Sequence, residues 1–364
     1  MPYDGHMDIW IGGHSAAELL RLSRRGRWPR LHASRDRAVD YADVMFSQAW
    51  REAVKELDGY LEIGTKKPLI VYVPDKGRRI RTACVDCRVC STMLPKDSFL
   101  LAELASSGSS VRIASPELSF AQMAEQLTQR LMAFDLERPV ALAMLVAYGM
   151  ELCGSYARDP MDPYGGDCDF RLDAVTSPER LRAWLGKARH LKGLALARAA
   201  AKRVLAGSAS PEESAHAMLL GFPSNLGGIN VGVPLLNDQL VLSKRDMELL
   251  ERPSLRPDLY FPRLRLVIEH YGAMWHEGVS RMVEDVMRIQ CYSALGIRVF
   301  PTTARDLATA DAYESFLRKL AYGIGVDHGL ALRDRFLSHV NDPRARDLRS
   351  DIISALSTGR HACW

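Results

Sequence analysis

Apolar positions recur along this chain with helical and with strand spacing, and the alternation between the two outlines its organisation. Three helically spaced runs each begin with Ser-Pro-Glu, at Ser115, Ser177 and Ser210. A serine supplies an N-cap oxygen, and proline is tolerated at the first helical position, where an N–H would lack an intrahelical partner. These signals predict helices over 116–131, 178–185 and 211–220, and they mark helix starts rather than an internal repeat. A fourth periodic run predicts a helix over 141–151, ending at Cys153-Gly154. Nearer the N-terminus, helices are predicted at 16–25 and 44–57, followed by strands. The clearest strand is Pro68-Leu-Ile-Val-Tyr-Val73, with a turn at Asp75-Lys-Gly77.

Beyond Ser210 the spacing shifts toward period two. Strands are predicted at 229–233, 239–243, 258–261 and 266–271, then a helix at 280–295 closed by Gly296. A short strand at 297–300 and a helix at 310–322 follow, and after Arg333 the chain reads as a charged helical tail. The loop-forming run Asp159-Pro-Met-Asp-Pro-Tyr-Gly-Gly166 predicts a boundary within 158–170. The expected fold class is therefore α/β (α+β): a C-terminal mixed sheet flanked by helices, preceded by a mixed N-terminal region and a helical middle. The corresponding divisions are 1–157, a connector at 158–206, 207–325 and a tail at 326–364.

With 364 residues, 47% hydrophobic and 25% charged, the chain can bury a sizeable core and is not disordered along its length. Its most apolar stretch, 140–152, is too short to cross a bilayer and is interrupted by Glu151. Asp4 and Asp8 stand where a secretory signal would be basic. An odd seven cysteines then point to a reducing, cytoplasmic setting. Cys84, Cys87 and Cys90 have C-x2-C-x2-C spacing, which suits either a metal lacking its fourth ligand or a strand using Cys as a small hydrophobe. The net charge of +4 is small, yet residues 18–37 hold seven arginines against Glu18 and Asp36. Arg24, Arg25 and Arg27 in that stretch are candidate phosphate contacts, with a solvated helix face as the alternative.

The candidate chemistry lies in Arg256-Pro-Asp-Leu-Tyr-Phe-Pro-Arg-Leu-Arg-Leu-Val-Ile-Glu-His-Tyr-Gly-Ala-Met-Trp-His276. Asp258 and Glu269 fall on consecutive predicted strands, symmetric about the Arg263–Leu264 bond. A hairpin centred there sets them opposite each other on one face, with Cβ atoms about 4.5–5.5 Å apart. Two carboxylates that close need a cation or a shared proton. A hard divalent ion such as Mg²⁺, bound by one or two carboxylates plus substrate phosphate, satisfies that need. Arg-Leu is poor two-residue turn chemistry, so a register displaced by one stays open.

At this block the chain resembles the PD-(D/E)XK nuclease superfamily, in particular the branch related to the very-short-patch-repair (Vsr-like) endonucleases. The matching features are Arg256-Pro257-Asp258, the strand ending in Glu269, Gly272, Trp275 and His276, a helix carrying Asp285 and Arg288, and Gly296-Ile-Arg-Val-Phe300 as closing strand. The resemblance covers about residues 207–322 and implies a restriction-endonuclease-like fold, DNA as partner and Mg²⁺ (or Mn²⁺) as cofactor. It implies Asp258 and Glu269 as metal ligands, Glu213 as the assisting acid of the preceding helix, His276 as proton carrier or phosphate contact, and Arg288 as a DNA contact. One departure stands out. Related nucleases usually place Asp, Lys or His two residues after the acid, where this chain has Tyr271, a poor base at neutral pH. Further upstream, Val111-Arg-Ile-Ala-Ser-Pro-Glu117 and Glu151-Leu-Cys-Gly-Ser-Tyr156 are similar to AbiEi-type antitoxin regulators.

Each candidate also has a structural alternative. Glu213 stands three residues after Ser210, the partner position of a capping box. Asp258 could form a turn, His276 could be a core histidine, and Asp285 with Arg288 could be a solvated helix face. Two functions follow: a metal-dependent DNA endonuclease, or a nuclease-fold protein without turnover that acts as a DNA-binding or antitoxin-like regulator. Nothing points to a membrane or a small-molecule cofactor, and the oligomeric state is open.

Overall fold

The computed structural model describes residues 8–34, 36–39, 47–63, 67–105, 109–271 and 278–358. It is a mixed α/β chain of two compact units. One takes the described residues of Met1–Leu136 and Ala157–Val204, the other those of Glu137–Tyr156 and Leu205–His361.

The first unit is built on a six-stranded mixed sheet. Its strand order is His32–Ala33, Phe99–Glu103, Ser110–Ala114, Asp8–Ile11, Leu69–Val73 and Val85–Val89. Leu69–Val73 is buried at all five positions, as its unbroken apolar run requires of an inner strand. Helices Gly13–Arg24 and Pro116–Met132 pack on the sheet. Ser115 caps the second of these, its hydroxyl accepting from Leu118 N at 3.3 Å. The segment read as a connector belongs to this unit. Helices Pro178–Lys187 and Leu194–Ala201 pack on Pro116–Met132, and buried Trp184 donates from its indole nitrogen to Ser98 Oγ at 3.2 Å.

In the second unit, helix Arg138–Leu152 is buried nearly all round and packs against Pro211–Gly221 and Pro343–Thr358. A helix apolar on every side needs partners on every side. It therefore lies with the C-terminal elements instead of the N-terminal region where the sequence reading put it. The tail is equally integral: Leu348, Ile352 and Ile353 are buried, and helices Leu330–Asn341 and Pro343–Thr358 join the same core. Among the described residues, no helix is long and apolar enough to cross a membrane.

The sheet of this unit runs in the order Arg298–Thr303, Leu266–Tyr271, Leu259–Phe261, Leu235–Leu236. Leu259–Phe261 and Leu266–Tyr271 pair antiparallel, with Leu259 opposite Ile268 and Phe261 opposite Leu266. This is the register read from the sequence. The turn that makes it possible is longer than two residues: a 3-10 turn over Pro262–Leu264, then Arg265 in the left-handed region at φ 45°. Leu266–Tyr271 and Arg298–Thr303 pair in parallel, a geometry that needs a crossover connection, here helix Gly278–Ala294. Alternation sends Val267 to a cluster with Cys291, Tyr292 and Ile297 on that helix's side of the sheet. On the other side, helix Ala310–His328 comes so near Phe300 that a Cβ at Gly323 would lie 2.2 Å from its ring.

The strand expected at 229–233 is absent; the segment is irregular. Its amides cap the preceding helix instead, with Ile229 N donating to Leu219 O at 3.2 Å and Val231 N to Leu220 O at 2.8 Å. Orphan carbonyls at a helix end compete with sheet pairing for those donors.

Candidate active site

The hairpin register carries one step past the paired strands to place Asp258 opposite Glu269, on the face that helix Gly278–Ala294 covers. The Asp258 carboxyl lies within hydrogen-bonding reach of Glu269, and its Oδ2 accepts from the backbone N–H of His270 at 2.7 Å. Glu269 is fully buried, and neither of its carboxylate oxygens accepts an aligned hydrogen bond among the described residues. Two unit charges about 3 Å apart at an effective dielectric near 20 repel by about 5 kcal/mol, so the pair does not hold two full charges unaided. Burial first, and Asp258 second, push the Glu269 carboxyl up to about 8. Burial also raises Asp258, against the pull of the His270 amide and Arg288.

Glu213 stands in the first turn of helix Pro211–Gly221, near enough to Asp258 to feel its charge, and its capping role is realised there. It receives a cap, with Ser210 Oγ accepting from its N–H at 3.1 Å, and it returns one, with its Oε2 accepting from Ala209 N at 2.8 Å. The same oxygen accepts from Asn237 Nδ2 at 2.5 Å. Burial and then the Asp258 charge push Glu213 up to about 8. Asn237 was missed by sequence reasoning. It sits at φ 49°, donates from Nδ2 to Gly207 O at 3.0 Å and from its backbone N–H to Asp258 O at 3.0 Å. One side chain thereby links the helix start to the hairpin. An Asn in the dipeptide Asn237-Asp238 marks a left-handed turn, which is the only local signal it gave.

Arg288 reaches the cluster from helix Gly278–Ala294. Its Nη2 lies 3.2 Å from Glu269 Oε2 and 3.1 Å from Asp285 Oδ1, so Asp285 and Arg288 form a braced pair facing the carboxylates. Tyr292, one turn on, is fully buried beside Glu269 and favours its ionised form. Burial and then the Glu269 charge raise the Tyr271 phenol, taking it further from use as a base.

His270 points to the opposite face, as strand alternation requires. There it joins a buried polar chain. Thr302 Oγ1 lies 2.8 Å from His216 Nε2 and 3.5 Å from His270 Nδ1, and His216 Nδ1 lies 3.2 Å from the Tyr313 hydroxyl. Burial, then His270, pulls His216 down to about 3, so its imidazole is neutral and one ring nitrogen must act as acceptor. His216, Thr302 and Tyr313 carry no sequence motif. Only their convergence from two helices and a strand identifies them.

The remaining sequence candidates fall elsewhere. His276, with Gly272 and Trp275, lies outside the described residues. Arg25 is committed to its own unit: its side chain is 2% exposed, pairs with Asp169 at 3.2 Å and donates to Asp167 O at 2.6 Å. Arg24 Nε donates to Asp173 O at 3.2 Å, while Arg27 is exposed. Cys84, Cys87 and Cys90 flank or lie in strand Val85–Val89, whose alternation turns Cys87 away from the other two. Burial raises Cys87 and pushes Cys90 up to about 11.

Among the described residues, no group of three or more His, Cys, Asp or Glu side chains is placed to hold a metal ion together. The Asp258–Glu269 pair offers two protein ligands. Neither Glu269 oxygen accepts an aligned hydrogen bond, Arg288 being its ion-pair partner, and oxygen donors on a rigid hairpin suit a hard cation that keeps waters or substrate oxygens in its shell. In comparisons with protein-family models, with curated proteins and with solved structures, nothing matches this chain.

Proposed function

We propose that the second unit is a Mg²⁺-dependent, endonuclease-type hydrolase acting on DNA phosphodiesters. The observation that carries the reading is Glu269: a fully buried carboxylate, opposite Asp258, with no aligned donor on either oxygen. Such a group costs stability unless something completes it, and strongly perturbed carboxylates gather where chemistry is done. The order of elements also agrees with the resemblance: an acid on a helix, a hairpin with two opposed acids, a crossover helix, a closing strand.

Asp258 and Glu269 would hold the ion, which supplies Lewis-acid polarisation of the scissile phosphate and a more acidic water. The protein's own groups do the rest. Asn237 fixes Glu213, whose Oε2 already accepts two hydrogen bonds, leaving Oε1 to carry a proton at neutral pH. Arg288 offsets the charge on Glu269 and holds its carboxylate in place. The resemblance gives His276 the proton transfer that Tyr271 cannot perform.

A second reading, a regulator that binds DNA without cutting it, is favoured by one specific contact. Arg288 already neutralises part of the pair that the ion would neutralise. Supercoiled plasmid incubated with Mg²⁺ or Mn²⁺ separates the two. Nicking by the parent and its loss in Asp258→Ala supports the hydrolase. No cleavage by either, together with salt-sensitive DNA binding, supports the regulator.

A further inference from the structure

Arg24 and Arg25 of the basic N-terminal stretch are spent inside the first unit, but Arg37 of that stretch shares one cleft with four further cations. Arg37, Lys96, Arg180, Lys187 and Arg189 line an open cleft of about 620 Å³. Asp97 and Glu117 are the acids on its wall, which leaves an excess of three positive charges. All five basic residues are exposed. Glu117 is buried, accepts from Thr176 Oγ1 and lies 3.5 Å from Arg180, whose side chain is still 63% exposed. Lys96 and Lys187 form no ion pair among the described residues.

Along helix Pro178–Lys187 two of these cations are spaced in a row. Arg180 and Lys187 stand seven residues apart on helix Pro178–Lys187, two turns along one face, or about 10 Å at 1.5 Å per residue. Ala183 lies between them on the cleft wall, so a low neutral floor separates two cations. Arg189 extends the row past the helix end, its Nη1 held by the carbonyls of Gly186 at 2.6 Å and Ala188 at 2.9 Å. Arg37 is held similarly, its Nε donating to Leu94 O at 3.2 Å. Main-chain carbonyls fix these two guanidiniums in orientation without neutralising them. A single compact anion would need donors that converge on a point. Cations spaced along an exposed groove instead match successive phosphates of a strand.

We propose that this cleft is the site where the first unit binds the phosphodiester backbone of DNA, in place of the Arg24–Arg27 stretch. The inference rests on the nuclease reading for its choice of polyanion, but its test does not depend on cleavage.

The experiment measures binding of the full-length protein to a fluorescent duplex in EDTA, by anisotropy, across a salt series. The variants are Lys96→Gln/Lys187→Gln, which changes two side chains free of structural contacts, and Arg27→Gln/Arg30→Gln as the exposed control. Loss of two phosphate contacts lowers the slope of log affinity against log salt by about 1.8, which is about thirtyfold weaker binding at 0.15 M salt. That loss in the first variant, with the control unchanged, is the expected result. Equal slopes for the first variant and the parent overturn the proposal while leaving the nuclease reading intact. Displacement of the duplex by inorganic phosphate or a free nucleotide at low millimolar concentration, at constant ionic strength, overturns it in favour of a small-anion site. A parent that binds no duplex at all overturns it as well, and metal-dependent nicking then decides the nuclease reading separately.

Discussion

Asp258 stands opposite Glu269 across an antiparallel hairpin, and the two carboxyl groups meet inside the protein, where only one of them has a backbone donor. The relationship follows from strand register. With Leu259 opposite Ile268, alternation commits the next pair to the same face as Val267 and to the covering helix Gly278–Ala294.

The burial of these acids has a pH signature. Glu213 and Glu269 are pushed up to about 8, mainly by burial, from an ordinary 4.5. Between those values the folded state holds more protons than the unfolded state, so stability is greatest below 4.5 and falls as pH rises toward 8. Glu269→Gln imitates the protonated acid and removes its share of that fall. Urea midpoints for parent and variant are expected to agree best below pH 4.5, where both states of the parent hold the proton. At pH 9 the variant should be the more stable by about 1 kcal/mol or more, equivalent to a few degrees in melting temperature. A variant weaker than the parent at pH 9 contradicts the assignment.

Asn237→Ala removes the donors to Glu213 Oε2 and Gly207 O and leaves a left-handed residue without its favoured side chain. The expected loss is about 1–3 kcal/mol in chemical denaturation. Asn237→Gly relieves only the backbone part, so it should remain destabilised. Full recovery in the glycine variant would mean that the hydrogen bonds contribute little.

Arg25 braces the loop-rich segment after Ala157 through Asp159, Asp169 and the Asp167 carbonyl. Arg25→Gln should cost about 2–4 kcal/mol, because carboxylates and carbonyls lose a charged donor. Limited proteolysis should show faster cutting between residues 158 and 170, with the salt dependence of DNA binding unaltered. Unchanged proteolysis with weaker DNA binding would return Arg25 to a phosphate-contact role.

Much of this was legible in the sequence because it is encoded locally. Ser115, Ser177 and Ser210 each begin a helix where their N-cap chemistry placed it, and the index symmetry of Asp258 and Glu269 gave the correct register. The turn was misread because the left-handed Arg265 has no local signature, unlike Gly or Asn. The strand expected at 229–233 failed because its amides found the carbonyls of a helix end. The division into units was missed because helix Arg138–Leu152 packs with elements far along the chain, and local spacing carries no such information. Arg288, Asn237 and the His216–Thr302–Tyr313 chain reach their partners through tertiary contacts. The arginine-rich stretch was not apportioned for the same reason, since charge counted along a chain does not say which guanidiniums are held inside the fold, as Arg25 is, and which are exposed, as Arg27 is.

The most direct test of the carboxylate pair is a calorimetric Mn²⁺ titration at pH 7 in two buffers of different ionisation enthalpy, on the parent and Asp258→Asn. Because Glu269 is held protonated up to about 8 beside Asp258, occupation by a divalent ion must displace a proton. The expected result is one site in the parent with release of about one proton, and no binding in the variant. Binding of equal strength in Asp258→Asn, or no binding by the parent, contradicts a metal-holding role for the opposed acids.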